Sequence, residues 1–242
     1  MTGRVLVMAA PFVKHEPEAG APLREAGLEV VHGPVRTLPD PKELIGLLEG
    51  CTAVVASNER YPAAVFAACP ELITVARWGV GYDSIDLAAA TAAGVIVTNT
   101  PGAVTESVAD QTFALVLALC RKLPEQMEVA RSLHWRHVEG TEVWRKTLGI
   151  IGFGSIGQAV ARRAAGFSMR VLAYDPQPRT GEAKALGVQL VSLELLLAEA
   201  DIVTLHANLT EESRGMIGEA QLRALKPTAL LINAGRGALV DQ

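Results

Sequence analysis

The chain has 242 residues, of which 50% are apolar and 20% are charged, and its formal net charge is −4. This length allows one large domain or two modest ones with a sizeable core. No block of Lys and Arg stands out from the acidic balance, which argues against a protein that binds nucleic acid. The N-terminal apolar run is too short for a signal peptide, and the longest apolar run, residues 113–120, is too short for a membrane span. We therefore expect a cytoplasmic protein with no membrane partner.

The cysteines Cys51, Cys69 and Cys120 are scattered through the chain. Their spacing fits neither a disulfide framework nor a metal site, so we expect three buried side chains that act as small hydrophobes. The sequence predicts no bound metal.

Strands and helices alternate over the first hundred residues. Apolar runs predict strands at 4–10, 28–32, 53–56, 73–76 and 95–98, and helices at 21–26, 43–49, 62–68 and 87–93. Such alternation is typical of a parallel sheet with helices on both faces. The segment Asn99–Thr100–Pro101–Gly102 then breaks the pattern, so we place the first domain at residues 1–99.

A second α/β domain is predicted over residues 100–242. It begins with a long helix, residues 104–123, which is apolar on several sides and is expected to pack against more than one neighbour, such as a second subunit. Strands are predicted at 148–151, 170–174, 188–191, 202–206 and 228–233, and helices at 156–165, 193–198 and 219–224.

Residues 147–176 have the pattern of a dinucleotide-binding unit. Gly152, Gly154 and Gly157 follow a buried strand in G-x-G-x-x-G spacing, a helix and a second strand come next, and Asp175 ends that strand. Gly152 permits a tight turn, Gly154 lets a pyrophosphate approach the backbone, and Gly157 lets the helix pack closely on the strand. Asp175 suits a ribose and favours NAD over NADP, although Arg179 weakens that preference. The alternative is a tight turn that binds nothing.

Three further loops follow predicted strands, where ligands bind in open parallel sheets. Gly79, Val80 and Gly81 can form a backbone nest for a carboxylate, or only a glycine turn. His206 is a general base or, as we favour, a neutral side chain that hydrogen-bonds a backbone or cofactor oxygen. Arg236, between two glycines, is a bidentate clamp for a carboxylate or a surface arginine.

Four runs of sequence carry a resemblance to a known family. RWGVGYDSIDLAAATAAGVIVTNTPGAVTESVAD, TLGIIGFGSIG…VLAYDP, DIVTLHANLTEESRGMI and LKPTALLINAGRGALVD occur in this order and together resemble the D-isomer-specific 2-hydroxyacid dehydrogenases. The first run is most similar to the phosphoglycerate dehydrogenase-like branch. The resemblance implies an α/β fold of two doubly wound parallel sheets, a flavodoxin-like substrate domain (1–99) and a Rossmann NAD domain (100–242).

The activity that the resemblance implies is hydride transfer between NAD and C2 of a small 2-hydroxy or 2-keto acid. The acid stays open among the 3-phosphoglycerate, glycerate or hydroxypyruvate, glyoxylate and lactate types. Such enzymes are usually homodimers, here through the helix at 104–123.

The resemblance also implies site residues. Substrate would contact the backbone of Val80 and Gly81 together with Arg236, which is also the catalytic arginine. The cofactor contacts would be Val108, Gly152, Phe153, Gly154, Ser155, Ile156, Gly157, Tyr174, Asp175, Pro176, His206, Ala207, Thr210, Ala234, Gly235 and Arg236.

The chain departs from the family pattern in two respects. Asn208 stands where the family usually has proline. The catalytic glutamate and histidine of the family fall in a segment beyond Gln242, so we expect a fragment or a natural truncation whose NAD domain lacks its last strands and leaves strand 228–233 as an apolar edge. The alternatives are an inactive fragment, a non-enzymatic NAD-sensing regulator, or a relative of alanine dehydrogenase or adenosylhomocysteinase.

Overall fold

A computed structural model describes residues 3–34 and 37–242 of the chain. The chain divides into two compact units, Met1–Ala103 and Val104–Gln242, which we call the N-terminal and the C-terminal unit.

The N-terminal unit is built on a parallel sheet of five strands in the order β2-β1-β3-β4-β5. The strands are β1 (Arg4–Val7), β2 (Glu29–His32), β3 (Ala53–Ala56), β4 (Thr74–Arg77) and β5 (Ile96–Thr98). The helices are α1 (Ala10–Lys14), α2 (Glu16–Ala19), α3 (Ala21–Glu25), α4 (Pro41–Leu48), α5 (Ala63–Ala68) and α6 (Leu87–Ala92). This strand order is that of flavodoxin-like sheets and confirms the predicted fold class of this unit.

Apolar side chains cover both faces of this sheet. On one face Val54 and Val75 pack with Leu44 of α4 and Val65 of α5. On the other, Val7 packs with Phe12 of α1 and with neighbouring apolar residues. The strands therefore have the two-sided burial that is characteristic of parallel sheets.

The C-terminal unit contains a second parallel sheet, in the order β10-β9-β6-β7-β8. Its strands are β6 (Thr147–Ile151), β7 (Arg170–Tyr174), β8 (Gln189–Leu190), β9 (Ile202–Leu205) and β10 (Leu230–Asn233). Its helices are α7 (Thr105–Cys120), α8 (Leu123–Ser132), α9 (Ser155–Gly166), α10 (Thr180–Ala185), α11 (Leu193–Glu199) and α12 (Glu219–Ala224), with a short 3-10 turn at Gly237–Leu239. Numbered within the unit, the strands run 3-2-1-4-5, which is Rossmann order and confirms the predicted class.

Helices pack on both faces of the second sheet as well. Ile150 of β6 lies in a cluster with Phe113 of α7 and Val160 of α9, whereas Ile151 lies in another with Leu196 and Leu197 of α11. Successive residues of β6 thus face opposite layers, and the strand is held rigidly at the centre of the unit.

The predicted single helix at 104–123 is wrong at its end. Helix α7 ends at Cys120, Lys122 takes a left-handed conformation with φ 50°, and α8 begins at Leu123. Pro124 has no amide to donate to the carbonyl of Cys120, so a continuous helix would be interrupted there. The amide of Thr141 donates to that carbonyl instead, at 2.7 Å.

The first predicted strand, at 4–10, is too long. β1 ends at Val7, and α1 begins at Ala10 with Pro11 in its first turn. Apolar runs of this length do not separate a buried strand from the start of a buried helix, and proline is well suited to the first helical turn.

The three cysteines lie where the sequence predicts. Cys51, Cys69 and Cys120 are buried with free thiols, and burial raises the pKa of each thiol. Among residues 3–34 and 37–242, no helix is long and apolar enough to cross a membrane.

Candidate functional site

The glycine turn of the C-terminal unit joins β6 to α9 at the point where the strand order reverses. β6 lies between β7 and β9. The amide of Gly152 donates to the carbonyl of Tyr174 at 2.9 Å, and the amide of His206 donates to the carbonyl of Ile151 at 2.7 Å. The ends of three neighbouring strands therefore meet at the turn, which is where open α/β sheets bind ligands.

Each glycine of the turn occupies a different environment. Gly152 has φ +92°, and a Cβ there would lie 2.5 Å from the amide nitrogen of Ala207. A Cβ on Gly157 would overlap the carbonyl oxygen of Gly152, which requires close packing of α9 on the turn. A Cβ on Gly154 would meet nothing within 4 Å. The first and third glycines are thus required by the fold, whereas the second opens onto free space.

The amino end of α9 is available to an anion. Gly154 is the N-cap and supplies no side-chain acceptor, and the first turn has no acidic residue. The leading amides of the twelve-residue helix, from Ser155 and Ile156 onward, carry the positive end of its dipole. The space above Gly154 and this uncapped helix end fit a pyrophosphate.

Asp175 is tied to the same turn. Its Oδ2 accepts the amide of Phe153 at 2.7 Å, and its Oδ1 accepts the amide of Gln177 at 2.8 Å. A carboxylate oxygen has more than one acceptor position, so these contacts leave capacity for a ribose hydroxyl. The sequence predicts the ribose role, but the support that Asp175 gives to the turn is visible only in the structure.

His206 follows β9 and lies beside the glycine turn. Both ring nitrogens are buried and have no hydrogen-bond partner within residues 3–34 and 37–242. Burial lowers the pKa of His206 from 6.5 to about 4, because the charged ring would lose its hydration. The lowered pKa favours a neutral ring at physiological pH. The ring makes no hydrogen bond to a backbone oxygen within residues 3–34 and 37–242, which leaves a cofactor oxygen as its predicted partner.

Because the ring of His206 is buried and neutral, the free energy of unfolding should decrease at acidic pH. Between pH 6.5 and about 4 the unfolded chain holds a proton on His206 that the folded chain does not, so stability falls as the pH drops through this range. At pH 5 the loss is roughly 2 kcal/mol. We expect His206→Gln to remove it, so that the change in unfolding free energy from pH 7.5 to pH 5, measured in urea, becomes smaller by that amount. His134→Gln, at an exposed position, is the control and should behave as wild type. An unchanged acid sensitivity in His206→Gln would exclude this cause.

The loop after β10 lies against the loop after β9. The amide of Ala234 donates to the carbonyl of Leu205, and a Cβ on Gly235 would lie 3.4 Å from the carbonyl oxygen of Ala207. The carbonyl of Arg236 accepts Nδ2 of Asn233 at 2.8 Å and the amide of Leu239 at 3.0 Å. The backbone that carries the guanidinium is thus held on both sides.

The other predicted cofactor residues are spread around the turn. Tyr174 is the last residue of β7, Pro176 is exposed two residues later, and Val108 is half-buried in α7. Thr210 lies farther along the loop after β9, where its amide donates to Oγ of Ser213 at 2.8 Å. The structure thus brings together the ends of β6, β7, β9 and β10, whereas Val108 and Thr210 lie on other segments.

The nest of the N-terminal unit follows β4. The carbonyl of Gly79 accepts the amide of Thr100 at 3.0 Å, and the carbonyl of Val80 accepts Nδ2 of Asn99 at 2.8 Å. Within the described residues, the amides of Val80 and Gly81 donate to no backbone carbonyl. Two neighbouring amides that are not used in backbone pairing are suited to an anion.

Sequence reasoning did not predict that two charged side chains near this nest, Glu59 and Arg77, are buried. Glu59 is 2% exposed and Arg77 is 7% exposed. Oε2 of Glu59 accepts the amide of Ser57, and Nη2 of Arg77 donates to Oδ1 of Asn58 at 2.7 Å. Arg77 ends β4, and Glu59 lies three residues after the adjacent strand β3. Charged residues so close to the ends of two buried strands are the sequence signal for this pair, because buried charges require partners.

Residues 113–242 match the family model described as the NAD-binding domain of D-isomer-specific 2-hydroxyacid dehydrogenases. The chain belongs to this family. The resemblance of its sequence motifs is therefore confirmed, and the C-terminal unit contains the family's NAD-binding domain.

Individual relatives agree with this assignment. The chain is 45% identical over 239 residues to a glyoxylate reductase of Korarchaeum cryptofilum, covering 96% of this chain and 72% of the relative. It is 42% identical to a D-3-phosphoglycerate dehydrogenase of Mycobacterium leprae, covering 88% of this chain and 40% of the relative. A D-lactate dehydrogenase of Aquifex aeolicus, solved with NAD and lactic acid, superposes with TM-score 0.85 at 30% identity, over 99% of this chain and 71% of that one.

No group of three or more His, Cys, Asp or Glu side chains that could hold a metal ion occurs in the part of the chain that the structure describes.

Proposed function

We propose that the protein catalyses hydride transfer between NAD and C2 of a small 2-hydroxy or 2-keto acid, with glyoxylate as the representative substrate. The paired amides of Val80 and Gly81 carry this proposal, because they offer an anion site after a strand end. The relative named glyoxylate reductase, 45% identical to this chain, favours a short keto acid.

The C-terminal unit has the features that an NAD site needs. When bound, NAD supplies or accepts the hydride at C4 of its nicotinamide ring. We assign the pyrophosphate to the amides at the start of α9 above Gly154, and the adenosine ribose to the remaining acceptor capacity of Asp175. His206 stays neutral and can hydrogen-bond an uncharged cofactor or substrate group. The full proposed set of cofactor contacts is Val108, Gly152, Phe153, Gly154, Ser155, Ile156, Gly157, Tyr174, Asp175, Pro176, His206, Ala207, Thr210, Ala234, Gly235 and Arg236.

The substrate carboxylate is assigned to the amides of Val80 and Gly81 and to the guanidinium of Arg236. A guanidinium presents its donors in a planar fork that matches a carboxylate, and it can also polarise the adjacent carbonyl oxygen. As negative charge develops on that oxygen during reduction, a fixed cation stabilises it, which makes Arg236 the proposed catalytic residue.

We further propose that a second copy of the chain packs on the C-terminal unit near α7 and α8. Leu115 and Leu119 of α7 are 36% and 49% exposed, and Leu123 and Met127 of α8 are 42% and 52% exposed. Clustered exposed apolar side chains at helical spacing support a protein contact.

The proposal predicts oxidation of NADH by at least one short 2-keto acid. The protein as its gene encodes it is assayed by absorbance at 340 nm with glyoxylate, hydroxypyruvate, pyruvate and phosphohydroxypyruvate in turn. Tight NADH binding without oxidation by any of them would favour an NAD-sensing regulator and contradict the proposed activity.

Gly154→Ala is the matched control for that assay. Its Cβ meets no protein atom within 4 Å, so the melting temperature should stay close to that of wild type. The same Cβ enters the space assigned to the pyrophosphate, so NADH affinity and turnover should fall by about tenfold or more. Full activity in Gly154→Ala would show that oxidation does not use this turn.

A further inference from the structure

Arg77 is a buried cation at the end of a strand. It is the last residue of β4, its side chain is 7% exposed, and the loop that follows it contains Val80 and Gly81. A buried guanidinium is costly unless its donors are used, so its contacts indicate what it does.

The guanidinium donates hydrogen bonds to carbonyl groups at both ends of the loop from Trp78 to Gly81. Nε donates to the carbonyl of Gly81 at 3.0 Å, and Nη1 donates to the carbonyl of Trp78. Nη2 donates to Oδ1 of Asn58, which follows the neighbouring strand β3. Because its donors lie in one rigid plane, a single arginine can fix both carbonyls relative to β3, which a lysine ammonium cannot do.

The carbonyl contacts determine where the amides point. A peptide unit is planar and trans, so the carbonyl of one residue and the amide of the next point in opposite directions. The bonds from Thr100 to the carbonyl of Gly79 and from Asn99 to the carbonyl of Val80 therefore turn the amides of Val80 and Gly81 the other way. Arg77 fixes the two peptide units that flank this pair.

We propose that Arg77 is a positioning residue that presents the Val80 and Gly81 amides to the substrate carboxylate. This rests on the proposed function of the nest. Arg77 does not contact the substrate in this assignment; it acts through the backbone of the loop.

The glycine before the nest supports the assignment. Gly79 has φ +139°, and a Cβ there would lie 2.9 Å from Nη1 and 3.1 Å from Cζ of Arg77. The loop therefore folds directly onto the guanidinium, and any side chain at Gly79 would push the two apart.

The positive charge of Arg77 also supports the proposed role. Burial raises the pKa of Glu59, while the positive charge of Arg77 opposes that rise. Arg77 thus lies near a buried carboxyl and also contacts the loop that carries the nest. A fixed positive charge next to this loop strengthens the attraction of its amides for an anion.

The test compares Arg77→Met and Arg77→Lys with wild type. We expect KM for glyoxylate to rise about 10- to 100-fold in Arg77→Met and somewhat less in Arg77→Lys, as loss of charge-assisted hydrogen bonds predicts. The NADH Kd should change less than about twofold, because it depends on the C-terminal unit. A role limited to stability would lower the melting temperature and leave KM unchanged, which would overturn the proposal.

Arg4→Met is the matched control. It removes a guanidinium from the amino end of β1 in the same sheet, where Nε of Arg4 pairs with Glu29 at 3.5 Å, and it should leave KM unchanged. If circular dichroism shows that Arg77→Met is unfolded, Asn58→Ala replaces it; that variant removes only the acceptor of Nη2 and should raise KM by a smaller factor.

A second readout separates this inference from the proposed activity. In ¹⁵N-labelled wild type, oxamate, a carboxylate that cannot be reduced, should shift the amide resonances of Val80 and Gly81, and in Arg77→Lys the shift should need a higher concentration. If both expected shifts are seen but no keto acid is reduced, the proposed activity is contradicted, whereas the role of Arg77 in anion binding is supported. Equal shifts in both proteins, or none in wild type, would overturn it.

Discussion

Replacing Arg236 by lysine should lower kcat/KM for glyoxylate by about 10²- to 10³-fold, the usual effect of losing one donor to a developing oxyanion. The NADH Kd should change less than about threefold. Lysine keeps the charge but loses the planar fork, so it cannot bind the carboxylate through two parallel bonds while also reaching the carbonyl oxygen. Steady-state kinetics and NADH fluorescence titration on the protein as its gene encodes it measure the two quantities.

The backbone at Arg236 can accommodate a lysine without a change of conformation. Arg236 has an ordinary extended conformation, φ −118° and ψ 137°, and its carbonyl is held by Asn233 and Leu239, so a lysine fits without strain. Arg214→Lys, at an exposed position in the loop after β9, is the control and should leave both constants near wild type. Equal losses of turnover and NADH affinity in Arg236→Lys would assign the guanidinium to the cofactor and contradict a substrate role.

The cofactor turn was predictable because its requirements are local. Gly152, Gly154 and Gly157 lie within six residues, and the strands on either side are continuous apolar runs. The backbone angle at Gly152 and the contact at Gly157 follow from that spacing. The alternation of strands and helices indicates a parallel sheet, whereas the flavodoxin-like and Rossmann arrangements were expected only from the resemblance to the family.

The support for the substrate nest was not predictable in the same way. Arg77 contacts Asn58 across nineteen residues of sequence, and its bonds to Trp78 and Gly81 depend on the course of a loop that has no periodic pattern. Charge identifies such a residue as a candidate, but only coordinates identify its acceptors.

Two short helices have no apolar pattern that a sequence reading can detect. Helix α2 contains four residues, too few for a 3.6-residue periodicity, and helix α10 contains only two alanines as apolar residues among its six. Pro124 indicates the break between α7 and α8, but Leu123, which follows the charged residues Arg121 and Lys122, favoured extending the predicted helix to that residue.

Replacing Asp175 should alter both cofactor preference and the order of the glycine turn. In Asp175→Ser the carboxylate no longer repels a 2′-phosphate, and the exposed Arg179 nearby can attract one. The same change removes the acceptor of the Phe153 amide. We therefore expect NADH affinity to fall by about tenfold or more and NADPH affinity to change much less, so that preference moves toward NADPH.

These two roles leave different signatures. If Asp175 served only the ribose, NADPH affinity would rise and the melting temperature would stay constant. If it served only the turn, both affinities would fall by the same factor and the melting temperature would drop. The structure predicts a combination, with a shifted preference and a lower melting temperature, because both carboxylate oxygens already accept amides.

Asp201 provides the matched control for this experiment. It also accepts a backbone amide in the same sheet, from Thr147 at 2.8 Å, and it pairs with Lys226 at 2.9 Å, but it lies at the amino ends of β6 and β9. Asp201→Asn should lower the melting temperature and leave the ratio of NADH to NADPH affinity unchanged. The two aspartates lie at opposite ends of the strands, and only Asp175 contacts the glycine turn. If the ratio changed as much in Asp201→Asn as in Asp175→Ser, a general destabilisation of the sheet would explain the change in cofactor preference.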